Sequence, residues 1–349
     1  MKFFFTDDQA LHRPQHFMQR GQLKKAEDQP ERAEVLKAAA LRAGLSACPA
    51  TSFPEFELTA VHTVDYLDFL KTGYGLWSEL PDFSEEIRPN VHPVSTSGHP
   101  AATYPDHIIG RAGWHLSDCA SPIGPDTARA ALSAADVALS AADALLNGAR
   151  EAYALCRPPG HHASADVAAG HCYLNNLAIA ASHMATRFPR LAVLDIDVHH
   201  GNGTQSIFYE RCDVLTISIH ADPRAFYPFF VGYEHETGHG AGDGFNLNVP
   251  LPIGTGEGEW LAHIDACLAR IMDFGPDAIL IALGLDAYEY DPLGAFGVTT
   301  SGFGQAARKI GAVDLPVLLV HEGGYMTDAL GDNLQTFLGE FINVRNLAE

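Results

Sequence analysis

The sequence predicts a single α/β domain in which helices cover both faces of a parallel sheet. Two observations carry the prediction. Short apolar runs at 152–156, 191–196, 214–220, 278–283 and 317–320 alternate with amphipathic stretches near 175–188, 258–274 and 301–313. These runs are continuously apolar, which is the pattern of strands buried on both sides. A chain of 349 residues that is 47% hydrophobic has ample material for one such core.

The elements follow in order. Met1-Lys2-Phe3-Phe4-Phe5 is too short for a signal-peptide apolar region and reads as a first buried strand. Pro30-Glu31-Arg32 opens a helix, with proline in the first turn. Residues 80–125 are rich in Pro, Ser, Gly and His and lack periodicity, so they read as a long excursion, functional or disordered, within the domain, which spans 1–349. Residues 127–147 are alanine-rich, with Leu132, Val137, Leu139 and Leu146 along them, and Gly148 is the stop signal. No internal repeat or low-complexity tail interrupts the chain.

Charge narrows the function. Lys and Arg number 22 against 43 Asp and Glu, a net −21, and 18 histidines accompany them. That balance excludes a protein that tracks nucleic-acid backbones and favours cationic partners. No apolar run approaches the roughly 20 residues that span a bilayer. Six scattered cysteines, with no C-x-x-C pair, point to a reducing cytoplasm and exclude a structural zinc finger.

Chemistry gathers where the strands end. Arg157-Pro158-Pro159-Gly160-His161-His162 follows the first of the five runs, and Asp195-Ile196-Asp197-Val198-His199-His200 closes the second. Gly284-Leu285-Asp286 and His321-Glu322-Gly323-Gly324-Tyr325 follow the last two. Ligands of parallel α/β sheets bind beyond these carboxyl ends. Residues two apart on an extended chain share a face, so Asp195, Asp197 and His199 point together. Asp197 and His199 lie nearest the open end and are the expected metal ligands, with Asp286 as the third and Asp195 as a deeper acceptor. Either aspartate alone also fits a helix cap. Two carboxylates and one imidazole leave a coordination position open, as in catalytic zinc sites. His161 and His162, held by a rigid Pro-Pro-Gly turn, supply proton-transfer groups. Tyr325, placed by two glycines, offers a phenol to a substrate carbonyl.

His235-Glu236-Thr237-Gly238-His239 matches H-E-x-x-H, but that motif acts on a helix, and Gly232, Gly238, Gly240, Gly242 and Gly244 crowd this segment. Dinucleotide-binding and nucleophile-elbow signatures are absent from the sequence.

RPPGHH at 157–162, GHCYLNN at 170–176, DIDVHHGNGT at 195–204, GLDAYEYDP at 284–292 and EGGY at 322–325 resemble the histone deacetylase superfamily, and more narrowly its bacterial acetylpolyamine amidohydrolases. The resemblance begins at TDDQALH (6–12) and continues through PERAEVL (30–36) and VHTVDYLDFL (61–70). It implies an arginase/deacetylase-type domain around an eight-stranded parallel sheet. It puts Zn2+, or Fe2+, on Asp197, His199 and Asp286. His162 becomes the general base and acid, His161 its electrostatic helper, Asp195 the orienter of His161, and Asn202 the partner of His162 where many relatives carry Asp. It adds Gly170, His171 and Tyr227 as substrate contacts, and a K+ site on Asp195, Asp197, His199, Ser218 and Ile219.

The implied reaction removes acetyl groups from acetylated polyamines or related small cationic amines. The 80–125 excursion is expected to shape the pocket and a homodimer. Carboxylates that receive a distal ammonium in relatives align near Ile109 and Ala120, with Asp106 or Asp118 as substitutes. The alternatives are a peptide or protein acetyl-lysine deacetylase, a two-metal ureohydrolase, and a non-catalytic sensor of acetylated ligands.

Overall fold

A computed structural model describes residues 1–94 and 101–347. Strand β1 (Lys2–Phe5) precedes an antiparallel hairpin of β2 (His16–Gln19) and β3 (Gln22–Lys25). Then come β4 (Ser46–Pro49), β5 (Glu151–Ala154), β6 (Leu191–Asp195), β7 (Val214–Ala221), β8 (Asn246–Leu251), β9 (Ala278–Leu283) and β10 (Val317–His321). Apart from the hairpin, the strands form one eight-stranded sheet in the order β4-β1-β5-β10-β9-β6-β7-β8. Every pairing in it is parallel.

The order contains a switch. From β6 the chain steps outward to β7 and β8, then returns to place β9 on the other flank of β6, with β10 beyond it. Connections leaving β6 and β9 therefore diverge, and a crevice opens above their carboxyl ends.

Alternation along the strands divides the core in two. Ala192, Leu194, Ile279 and Ile281 face one layer; Leu191, Val193, Ala278 and Leu280 face the other. The helices are α1 (Pro30–Arg42), α2 (Phe56–Thr59), α3 (Val64–Ser78), α4 (Ile108–His115), α5 (Thr127–Leu146), α6 (Asn176–Met184), α7 (Asn202–Phe208), α8 (Glu257–Phe274), α9 (Thr300–Gly311) and α10 (Leu330–Leu347). Leu36 of α1, Trp260 of α8, Phe303 of α9 and Phe337 of α10 cover the first face. Phe69 of α3, Ala138 of α5 and Ile179 of α6 cover the second.

The five apolar runs are all strands, with ends shifted by one or two residues. Besides the hairpin, two strands of the sheet lie outside that reading. β4 and β8 are the sheet's edges, where one side faces no neighbour and the apolar pattern is diluted. The 80–125 excursion is less loop-like than its composition suggests. It carries α4, and Ile87 and Ile123 bridge its two ends. His99, one of its histidines, lies outside the described residues.

Histidines also sit inside the fold. Burial, reinforced by Arg157, pushes the pKa of His12 down to about 3. Burial pushes His62 and His220 down to about 4. In the unfolded chain each titrates near 6.5, so between about pH 4 and 6.5 the unfolded state binds more protons. Each group then removes up to about 1.4 kcal/mol of stability per pH unit as pH falls. Three together erode a typical reserve of roughly 5–15 kcal/mol quickly. Melting temperature is expected to fall steeply below pH 6.5, and a flat profile from pH 7.5 to 4.5 would contradict this.

Candidate active site

The metal-ligand candidates occupy the switch point. β6 ends at Asp195, and the chain bends through 197–199 rather than extending. Asp195 Oδ1 accepts from Asp197 N at 3.0 Å, and Asp197 Oδ1 accepts from His199 N at 2.9 Å. Two successive Asx turns of this kind fix the D-x-D-x-H run. Asp286 comes from the end of β9, the neighbour of β6, and its Oδ1 accepts from Val198 N at 2.9 Å. One ligand atom from each of Asp197, His199 and Asp286 lies within 4.8 Å of the others. His199 Nδ1 stands 3.1 Å from Asp197 Oδ1 and 3.1 Å from Asp286 Oδ2. Two fully buried carboxylates converging on one imidazole fit a divalent cation, which would balance the charge that burial opposes.

The loop after β5 brings the paired histidines beside this triad. Glu322 Oε2 accepts from Gly160 N at 2.6 Å and His161 N at 3.0 Å, which fixes the loop's path. His161 Nδ1–H donates to Asp195 Oδ2 at 2.9 Å. His162 Nδ1–H donates to Asn202 Oδ1, at the start of α7, at 2.6 Å, and this tautomer leaves Nε2 bare. Burial opposes charge on His161, but Asp197 and Asp195 outweigh it and hold its pKa well above the usual value. Burial holds His162 well below its usual value, and the neighbouring His161 and His199 add to the effect. Adjacent histidines are thereby driven apart in acidity, one toward the cation and one toward the neutral base.

The two glycines before Tyr325 are required by contact. A Cβ at Gly323 would come within 2.1 Å of Asp286 Oδ2, while Gly323 N donates to Asp197 Oδ2 at 2.8 Å. Gly324 has φ +107. Tyr325 N then donates to Asp291 Oδ2 at 2.8 Å, and the ring sits under the Arg32 guanidinium, 5.1 Å from its carbon. Arg32 also donates to the carbonyls of Glu322 and Gly324.

A cavity of ≈ 740 Å³ opens onto this group. His161, His162, Asp197, His199, Asp286 and Tyr325 form its floor, and Gly170, His171 and Tyr227 line its walls. A Cβ at Gly170 would lie 2.3 Å from His162 Cδ2, so only glycine lets the wall approach the base. Asn202 also lines the cavity, whereas Asp195 lies behind His161. Ser218 pairs with Asp195 across β6 and β7, and Ile219 follows it within the buried strand.

Several contributors were not singled out from the sequence. Phe17 to Arg20, on the hairpin, line the cavity. Glu322, Asp291 and Arg32 position others through backbone groups, a role that carries no spacing signature. Asp118, named from the sequence only as a candidate acceptor for an ammonium, accepts from Tyr227 Oη at 2.7 Å and Gly170 N at 3.2 Å, tying two walls together. Ala120 lines the cavity as well; Asp106 and Ile109 do not. His161, Cys172 and Glu322 form a second cluster within 4.8 Å, but neither Cys172 nor Glu322 reaches the cavity. Residues 235–239 form no helix: a turn ends at His235 and irregular chain follows, with His239 exposed beside Glu210.

Residues 17–341 match the histone deacetylase domain. The chain belongs to the histone deacetylase family, and it is a deacetylase. Within that family it is 43% identical to an acetylpolyamine amidohydrolase of Burkholderia pseudomallei, covering 98% of each chain. It is 38% identical to acetylpolyamine amidohydrolase 2 of Pseudomonas aeruginosa, covering 99% of each. The crystal structure of an acetylpolyamine aminohydrolase from Burkholderia pseudomallei superposes with a TM-score of 0.94 at 42% identity, covering 99% of each chain.

Proposed function

We propose that this chain is a zinc-dependent amidohydrolase that removes acetyl groups from acetylated polyamines or related small cationic amines, releasing acetate. One observation carries the reading: the Asp197–His199–Asp286 triad opens into a cavity that also receives His162 and Tyr325. Zn2+, or Fe2+, held by the triad would polarise the acetamide carbonyl and acidify bound water. His162 Nε2 takes the proton of the attacking water and later delivers it to the departing amine. Tyr325 donates to the carbonyl oxygen as negative charge develops there. The Gly170 carbonyl accepts the amide N–H, and His171 and Tyr227 wall the acyl end. His161, held by Asp195, supplies a fixed cation beside the base. K+ on Asp195, Asp197, His199, Ser218 and Ile219 would brace the turn that carries the ligands. The similarity to amidohydrolases of acetylpolyamines supports the substrate class, and the net charge of −21 suits a cation. We place the enzyme in the cytoplasm as a homodimer, with the 80–125 excursion shaping both pocket and interface.

The test is acetate release from acetylputrescine, acetylcadaverine, acetylspermidine and acetyl-lysine peptides. At least one acetylpolyamine is expected to exceed every peptide in kcat/KM, and a chelator is expected to abolish turnover until Zn2+ is restored. Faster turnover of the peptides than of all the polyamines would transfer the assignment to the protein deacetylases.

A further inference from the structure

The cavity's outer rim poses a recognition problem. A diamine acetylated at one end carries an ammonium at the other, yet the described lining residues include only three carboxylates. Asp197 and Asp286 belong to the metal-ligand triad. Asp118 is already engaged through both oxygens, with Ala120 N donating to Oδ1 at 2.9 Å and Tyr227 and Gly170 donating to Oδ2. Among the described lining residues Arg20 adds a full charge of the wrong sign. Among the described lining residues, no carboxylate is left over for a clamp.

The rim offers aromatic faces instead. Phe229 is 50% exposed and Phe230 is 88% exposed, and both line the cavity. Phe229 has φ +67, a conformation that bulky residues rarely adopt and that clusters at functional sites. The loop holds it there. Phe229 N donates to the Phe226 carbonyl at 3.0 Å, the Phe229 carbonyl accepts from Tyr233 Oη at 2.8 Å, and Phe230 N donates to the Pro228 carbonyl at 2.8 Å. The Phe229 ring meets the Tyr227 ring edge-on at 6.5 Å, and Tyr227 in turn lies 5.0 Å from His162, so an aromatic track runs from the base to the mouth. Exposed rings presented this rigidly attract a cation through their faces.

We propose that Phe229 and Phe230 are specificity-determining residues that receive the substrate's distal ammonium by cation–π contact, in place of a carboxylate. This rests on the deacetylase reading above. The acidic surface then draws the cation in from a distance, and the rings read it on arrival.

The test compares two ligands of equal length, N-acetyl-1,5-diaminopentane and N-hexylacetamide, in which a methyl replaces the ammonium. Phe229→Leu and Phe230→Leu keep apolar bulk and remove the ring. In each, the kcat/KM ratio of charged to neutral substrate is expected to fall about 3- to 10-fold. Stepwise fluorination of Phe230, which drains the ring face, is expected to lower the same ratio in steps. An unchanged ratio, or an equal fall for both substrates, would overturn the proposal. Calorimetric binding of 1,5-diaminopentane to the zinc-loaded wild type and both leucine variants reads the rim without turnover. Weaker binding in the variants supports the proposal and equal binding overturns it. Absence of acetate from every acetylated amine would instead sink the deacetylase reading, with the binding comparison still deciding this one.

Discussion

Tyr325→Phe is expected to lower turnover of acetylated amines by about 10²–10³-fold, the effect of removing one preorganised donor to an oxyanion. The side chain is buried, and burial holds its phenol pKa well above the usual value, against the pull of Arg32. Tyr325 is therefore a protonated donor at any working pH. Phenylalanine keeps the ring beneath Arg32 and beside His171, whose ring lies 5.8 Å away, so the wall should survive the change. The hydrogen bond is made to charge that develops during reaction, so kcat should carry most of the loss, with KM nearly unchanged. Steady-state kinetics with metal analysis of the purified variant decides the matter. Turnover within 3-fold of wild type at full metal content would remove Tyr325 from the reaction.

The fold's interior was legible because burial writes itself into composition. Leu191–Asp195 and Ala278–Leu283 are buried along their whole lengths, and no polar residue interrupts the runs before the site begins. Edges are different. Asn246–Leu251 pairs on one side only, with β7, and keeps Asn246 and Asn248 buried in hydrogen bonds to Gln205, so polarity there reflects satisfied amides. The hairpin at 16–25 buries little beyond Phe17, and its amino acids carry no apolar period to find. Residues 108–115 do form a helix, but eight residues amid prolines and glycines give too short a window to read.

For the site, residue types at strand ends brought forward the groups that bond chemistry requires. The structure brings Asp197, His199, Asp286, His162 and Tyr325 to one cavity floor. Sequence spacing put Asp195, Asp197 and His199 on one face of an extended strand, whereas the chain bends after Asp195 and carboxylate-to-backbone bonds shape the turn. What stayed hidden acts at long range through the backbone. Arg32 lies 290 residues from the Glu322 carbonyl it holds, and nothing in either segment announces the pairing. Asp118 was read from the sequence only as a candidate acceptor for an ammonium; its tie to Tyr227 Oη and Gly170 N stayed hidden, because these partners meet it only once the excursion has folded back over the cavity.

His162→Ala is expected to cost about 10²–10⁴-fold in kcat/KM, since the base that activates water also protonates the leaving amine. The pH profile gives a sharper check. Burial holds His162 below the usual imidazole range, so its neutral form persists at neutral pH and the acid limb of kcat/KM lies below about 6.5. Asn202 contributes by what it lacks. Its neutral Oδ1 accepts the Nδ1–H at 2.6 Å and raises the His162 pKa by too little to offset burial. Asn202→Asp puts a charge at that contact and is expected to raise the His162 pKa. A raised pKa leaves more His162 protonated at a given pH, so activity at pH 6.5 should fall and recover toward pH 8. The wild-type limb must be measured in brief assays, before the acid unfolding that the buried histidines drive. An unmoved limb in the Asn202 variant, or an alanine variant within 10-fold of wild type, would assign the proton transfer to another group.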